Sequence, residues 1–233
     1  MRRIPVERAF RAAFQRRPGC ATAIELATGR TLARWRPDLV KNWAAAPGSV
    51  IKPLVAAAGA AEFRRACPRG LVIDGIRLDC THSPSAQPLD METALALSCN
   101  CWMSAYVERL DPEALRRALS GADFTPPATL ADRQLAALGV RGVRITPAWL
   151  AGAYLRLLRN AAAPIRRGLE RAVREGTALA AQPALGGKTG TSREAAWFAG
   201  YDARLLLVVA LPAGSGGGDA APVAGEVFSR CAG

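Results

Sequence analysis

Gly187-Lys188-Thr189-Gly190-Thr191-Ser192, followed by Ala195 to Tyr201 (AAWFAGY) and Arg204 to Leu211 (RLLLVVAL), is where the chain changes its period. Lys188–Ser192, Ala195–Tyr201 and Arg204–Leu211 are short apolar and β-forming runs, which predicts three successive strands. The breaks between them are too short for a crossover, so the strands must be antiparallel. A Gly-rich loop, Gly214 to Pro222, and a last helix, Val223 to Cys231, complete this end.

The same strand signature recurs at the other end of the chain. Ala21–Leu26 and Thr31–Trp35 flank the turn Ala27-Thr28-Gly29-Arg30 and predict a hairpin. Almost everything between the two strand blocks has helical spacing. Ser49 to Ala66 is apolar on nearly all sides, with Pro53 tolerated in the first turn. Asp90 caps a helix to about Leu97, another spans Cys101–Leu110, and Asp111-Pro112-Glu113 opens a short one that stops at Gly121. Thr146-Pro147 opens a helix with Trp149, Leu150, Ala153, Tyr154, Leu157 and Leu158 on one face and Arg156 and Arg159 on the other. Ahead of the hairpin, Val6, Ala9, Phe10, Ala13 and Phe14 make residues 5–17 amphipathic. The expected fold is α/β (α+β): an antiparallel sheet built from both chain ends with an inserted all-helical subdomain. The expected division is an N-terminal helical arm (1–18) and one domain (19–233), with sheet parts 19–46 and 185–233 and a helical part 47–184.

At 233 residues the chain can bury one sizeable core. Its net charge of +12 favours anionic surroundings. The arginines are scattered, however, in pairs (Arg2-Arg3, Arg16-Arg17, Arg64-Arg65, Arg116-Arg117, Arg166-Arg167) without interleaved aromatics, so no nucleic-acid partner is expected. No apolar run approaches the ~20 residues of a membrane helix, and Met1 to Arg17 lacks the apolar stretch of a signal peptide.

Only three lysines stand among the arginines, and two sit where an amine could do chemistry. Lysine can surrender its proton once desolvated, whereas arginine cannot. Ser49-Val-Ile-Lys52 places a hydroxyl and an amine one helical turn apart, close enough for Lys52 to take the proton of Ser49. With His82 as the only histidine and no strained serine elbow beside it, a Ser-His-Asp triad is not expected. Ser98-Cys99-Asn100 and Lys188-Thr189-Gly190 then follow in order.

These three elements, S-x-x-K, S-x-N and K-T-G, resemble the active-site motifs of the penicillin-binding protein and serine β-lactamase superfamily. Pro47 to Pro53, Leu97 to Asn100, Gly139 to Ala151, and Gly187 to Ser192 with Ala196 to Tyr201 resemble penicillin-binding transpeptidase segments, and the likeness spans roughly residues 20–231. The resemblance implies that Ser49 takes the acyl group and that Lys52 is its base. Ser98 would relay a proton to the leaving amine, while Asn100 would hold the substrate amide and position Lys52. Lys188 would supply positive potential, and the hydroxyls of Thr189 and Thr191, either side of Gly190, would hold a terminal carboxylate. The N–H groups of Ser49 and Thr191 would form the oxyanion hole. It further implies a D,D-transpeptidase or D,D-carboxypeptidase that acts on peptidoglycan stem peptides outside the cytoplasmic membrane. β-Lactams would inhibit it covalently, no cofactor is required, and a cell-wall-synthesis or membrane-anchored protein is an expected partner.

Two rival readings share these motifs. A class A β-lactamase would need a glutamate in an E-x-x-L-N loop, and none of Glu108, Glu113, Glu170 or Glu175 has that context. Class D enzymes typically carry Val or Ile where Asn100 stands. The other rival is a penicillin sensor or scaffold that stays acylated without turnover. Between Asn100 and Lys188 the chain is shorter than expected of a full-size transpeptidase.

The six cysteines, at 20, 67, 80, 99, 101 and 231, allow one to three bridges whose pairing spacing does not reveal. Cys80-Thr-His82 and Cys99-Asn-Cys101 offer four zinc-type donors. Buried thiols around a packed helix pair, or a bridge, account for them more simply, and no metal is expected.

Overall fold

A computed structural model describes residues 5–232. The first four residues of the expected arm, with the pair Arg2-Arg3, and Gly233 lie outside the described residues. The main sheet has five antiparallel strands: β1 (Cys20–Glu25), β2 (Thr31–Trp35), β3 (Gly186–Thr191), β4 (Ala196–Tyr201) and β5 (Leu205–Leu211). Their spatial order is β2-β1-β5-β4-β3. The N-terminal hairpin is thus joined to the C-terminal meander by pairing of β1 with β5, from Cys20 opposite Ala210 to Glu25 opposite Leu205.

The unbroken apolar run of β5 follows from burial on both faces. Leu206, Val208 and Ala210 face a core shared with the inserted helices, while Leu205, Leu207 and Val209 face a second core under the terminal helices. Val6–Phe14 packs against Ala221–Cys231 on that second face. Across the sheet, helix Pro147–Asn160 lies on β1 and β5.

The helix expected from Ser49 to Ala66 is much shorter: a 3-10 turn, Gly48–Ile51, leads into an α-helix that ends at Ala56. Beyond it, Ala57-Ala58-Gly59-Ala60-Ala61 carries too little side-chain area to hold a helix by burial. The Tyr106 hydroxyl also donates to the Ala56 carbonyl, 3.0 Å away, occupying an acceptor the next turn would use. Nor is the insertion all-helical. Val72–Ile73 pairs with Ile76–Arg77, and Asp123–Phe124 with Val143–Arg144, as two short ribbons. Part of the Gly214–Pro222 loop is helical too, over Gly216–Ala220.

Three helices were given no bounds by the sequence pattern, although Arg166-Arg167 reads as the solvent face of one of them. Pro37–Asn42 lacks a side-chain cap, and so does Ala163–Glu175. Leu130–Ala137 has a readable start, since Thr129 and Asp132 form a reciprocal capping box. Helix Ala163–Glu175 matters for the site because it packs on both Met91–Ala96 and β3.

Candidate active site

Ser49 is half-buried in the 3-10 turn, and that turn is fastened from several sides. Tyr154 donates its hydroxyl to the Val50 carbonyl at 2.7 Å, the Trp197 indole donates to Ala46 O at 3.0 Å, and the Gly48 N–H donates to Gly139 O at 2.9 Å. Gly48 itself is left-handed, with φ +54°, and a Cβ there would stand 2.3 Å from the Thr191 carbonyl oxygen. A Cβ on Gly190 would likewise meet Pro47 O at 2.3 Å. Only glycine at both positions lets the end of β3 press directly on the serine turn. Ser49 and Thr191, 142 positions apart in sequence, are neighbours for this reason.

Lys52 and Lys188 are the only fully buried charged side chains among the described residues. Lys52 Nζ donates to Ser98 O at 2.7 Å and to Asn100 Oδ1 at 2.5 Å, and lies 3.5 Å from Ser98 Oγ. Lys188 Nζ donates to Ser98 Oγ at 2.9 Å and to the carbonyl of Thr189 at 3.2 Å. Ser98 reaches both amines from a left-handed backbone, φ +57°, at the junction of helices Met91–Ala96 and Asn100–Glu108. Such a conformation is unusual for a residue other than glycine and is held by its surroundings. Asn100 is oriented by donating its amide to Leu78 O at 3.0 Å.

Burial lowers the pKa of Lys52 from its ordinary 10.5 to about 8, with the thiols of Cys99, Cys80 and Cys101 pulling partly the other way. Burial first, then the charge of Lys52, push Lys188 well below its usual value. Two cations beside one hydroxyl repel, so the arrangement favours one charged and one neutral amine. The charge of Lys52 is one cause of the lowering at Lys188, so loss of the Lys52 proton raises the affinity of Lys188 for a proton.

The two threonines of β3 differ. Thr189 is buried and donates its hydroxyl to Thr177 Oγ1 at 3.0 Å. Thr191 is exposed, and its hydroxyl oxygen accepts the Gly216 N–H at 2.9 Å, which leaves its own proton available. Thr177 and Gly216 are site residues that sequence reasoning missed. Neither carries a motif, and both arrive through elements placed by packing alone.

The four zinc-type donors read from sequence are not the four that assemble. Cys67, Cys80, His82 and Cys99 place their donor atoms within 4.8 Å of one another, whereas Cys101 remains outside the group. All six cysteines are free thiols. A cavity of about 610 Å³ is lined by Leu54, Met91, Arg117, Arg156, Leu157 and Ile165 among others. None of Ser49, Lys52, Ser98, Asn100 or Lys188 reaches it. The junction of β3 with the serine turn is thus separate from that cleft.

No protein-family model matches the sequence, and no curated protein matches it. Solved structures do match. PBP2 of Pseudomonas aeruginosa, determined in complex with WCK 5153, superposes with a TM-score of 0.78 at 18% identity, over 97% of this chain and 73% of that one. A peptidoglycan glycosyltransferase from Burkholderia ambifaria gives 0.78 at 18% identity, over 98% and 92%. The TP domain of Burkholderia pseudomallei penicillin-binding protein 3 gives 0.76 at 17% identity, over 97% and 91%. With its five-stranded antiparallel sheet and inserted helices, the chain has the fold of a penicillin-binding protein transpeptidase domain.

Proposed function

We propose that the protein is a serine acyl-transferase that cleaves D-Ala-D-Ala-type peptidoglycan stem peptides through a Ser49 acyl-enzyme and is acylated by penicillins. The observation that carries this reading is the convergence of two buried lysines on Ser98, beside the turn that bears Ser49. Lys52 is the base for Ser49. With a pKa of about 8, roughly one Lys52 in ten is neutral at pH 7. The Ser49 hydroxyl attacks the carbonyl of the penultimate D-alanine as Lys52 takes its proton, and Ser98 passes a proton to the departing amine. The oxyanion sits between the N–H groups of Ser49 and Thr191, which the paired glycines Gly48 and Gly190 allow to approach. Thr191 meets the substrate carboxylate, with Lys188 behind it, and Thr177 holds Thr189.

Because β3 is a terminal strand of the sheet, an extended peptide can add to its outer edge, with main-chain hydrogen bonds supplying affinity. The acyl group then passes to an amine of a second peptide, as a transpeptidase, or to water, as a carboxypeptidase. The substrate class places the activity outside the cytoplasmic membrane. Fluorescent penicillin tests the reading. It should label the intact protein covalently, the label should persist for many minutes, and Ser49→Ala should abolish it. Absence of labelling overturns the proposal, rapid release of the label indicates a β-lactamase instead, and a stable label with no turnover of D-Ala-D-Ala peptide indicates a sensor.

A further inference from the structure

We propose that the cleft of about 610 Å³ beside helix Lys52–Ala56 binds an amphiphilic carboxylate, an apolar chain or ring system that ends in a single carboxylate group. The cleft exists because small residues meet there. Ala57, Ala58 and Gly59, just past the point where the serine helix stops, line it together with Ala114 and Ala153. Protein interiors are otherwise close-packed, and atoms that line a void forfeit their dispersion contacts. An apolar occupant restores them. The volume falls within the ~300–1,000 Å³ usual for small-molecule sites.

Floor and rim differ in chemistry, and the difference names the ligand. Leu54, Met91, Leu157 and Ile165 are buried and offer only apolar contact. Arg117 of helix Pro112–Ala118 and Arg156 of helix Pro147–Asn160 line the same cleft from exposed positions. No Asp or Glu is among the described residues that line it. Arg156 enters none of the ion pairs among the described residues. Arg117 enters one, with Asp111 at 3.6 Å, in which both side chains are exposed. Such a pair contributes little, so both guanidinium groups are available to a ligand. A guanidinium holds a carboxylate through two parallel N–H bonds, and a positive mouth over apolar walls concentrates anions locally. The cleft therefore selects an anionic head over a cationic one and an apolar body over a sugar.

Leu54 lies two positions after Lys52 in a helix of five residues. An occupant packed on Leu54 braces the element that holds Lys52, and a ligand that binds only the folded chain raises its stability by mass action. Neither consequence requires Ser49 to be a nucleophile, so Ser49→Ala should bind the ligand as wild type does.

The test is calorimetric titration of the full chain with dodecanoate below its micellar concentration, beside dodecyltrimethylammonium, which has the same chain length and the opposite charge. A single dodecanoate per chain is expected, bound about tenfold or more tighter than the ammonium compound, with a melting temperature that climbs with dodecanoate concentration. Arg156→Glu and Arg117→Glu should each weaken dodecanoate binding about tenfold or more, and Ala57→Trp should abolish it by filling the cleft. The net charge of +12 attracts any anion, so Arg34→Glu, the same charge change at an exposed position on β2, is the control and should leave the affinity unchanged. Should Ala57→Trp fail to fold, the two arginine variants, altered only at exposed side chains, still decide. The proposal is overturned if wild type shows no saturable binding, if both head groups bind equally, or if Arg34→Glu loses as much affinity as Arg156→Glu. A solution dimer that Ala57→Trp dissociates would also overturn it, because a second copy would then cover the cleft.

Discussion

Lys52 and Lys188 share one oxygen, the Ser98 hydroxyl, at 3.5 and 2.9 Å. Every side-chain ion pair among the described residues uses arginine. The buried, carboxylate-free cations are these two lysines, which are also the cations able to exchange a proton near neutral pH.

Lys52→Arg keeps the charge and removes the proposed base. Acylation by penicillin should fall by about 10²–10⁴-fold or more, the range of a lost general base. Lys188→Arg retains a hydrogen-bond donor and a positive charge and should lose less. Stopped-flow or gel-based acylation rates measure both, and Lys41→Arg, at an exposed position outside every motif, is the control.

The acylation rate should rise with pH, about tenfold per unit while Lys52 is mostly protonated, and level off above its pKa of about 8. Burial and the charge of Lys52 hold Lys188 well below its usual value, and burial is what lowers Lys52, so Lys188→Met should lower the rate without moving the midpoint of the rise. Stability has the same sign. Between pH 8 and 10.5 the unfolded chain holds a Lys52 proton that the native protein releases. Stability therefore increases with pH across that window. Urea midpoints at several pH values should show this increase flattened in Lys52→Met.

Gly48→Ala places a methyl group against the Thr191 backbone and forces alanine into a left-handed conformation. The expected cost is about 2 kcal/mol or more, read as a lower melting temperature, together with loss of penicillin labelling in the protein that remains folded.

Tyr154→Phe removes the donor to Val50 O, a contact buried beneath the serine turn. It should destabilise by about 1–2 kcal/mol and slow acylation less than Lys52→Arg does. Thermal unfolding and penicillin labelling measure the two effects.

Much of the fold was legible because local signals agreed with it. The buried faces of Val6–Phe14 and Pro147–Asn160 carry the apolar residues read from their periodicity, except Trp149, which is only partly buried. Lys188, Ser98 and Lys52 meet because their motifs lie on elements whose types the sequence declared. What escaped is set by contacts at long range. Tyr106 ends the serine helix early from 50 positions away, and Thr177 reaches Thr189 only because an uncapped helix packs on β3. Cys67 joins His82 across a loop with no periodic pattern to place it.

The sheet order sets when this site can exist during folding. β3, which carries Lys188, touches the N-terminal hairpin only through β4 and β5. A nascent chain that has emerged as far as Thr191 holds Ser49, Lys52, Ser98 and Lys188, yet nothing in the sheet fixes the last of them beside the others. Assembly of the proposed site must await Leu205–Leu211, which slots between β1 and β4, so the decisive closure is among the most non-local contacts in the molecule and is expected to be slow. Truncation ahead of β5 would spare every residue of the proposed site and leave them unassembled.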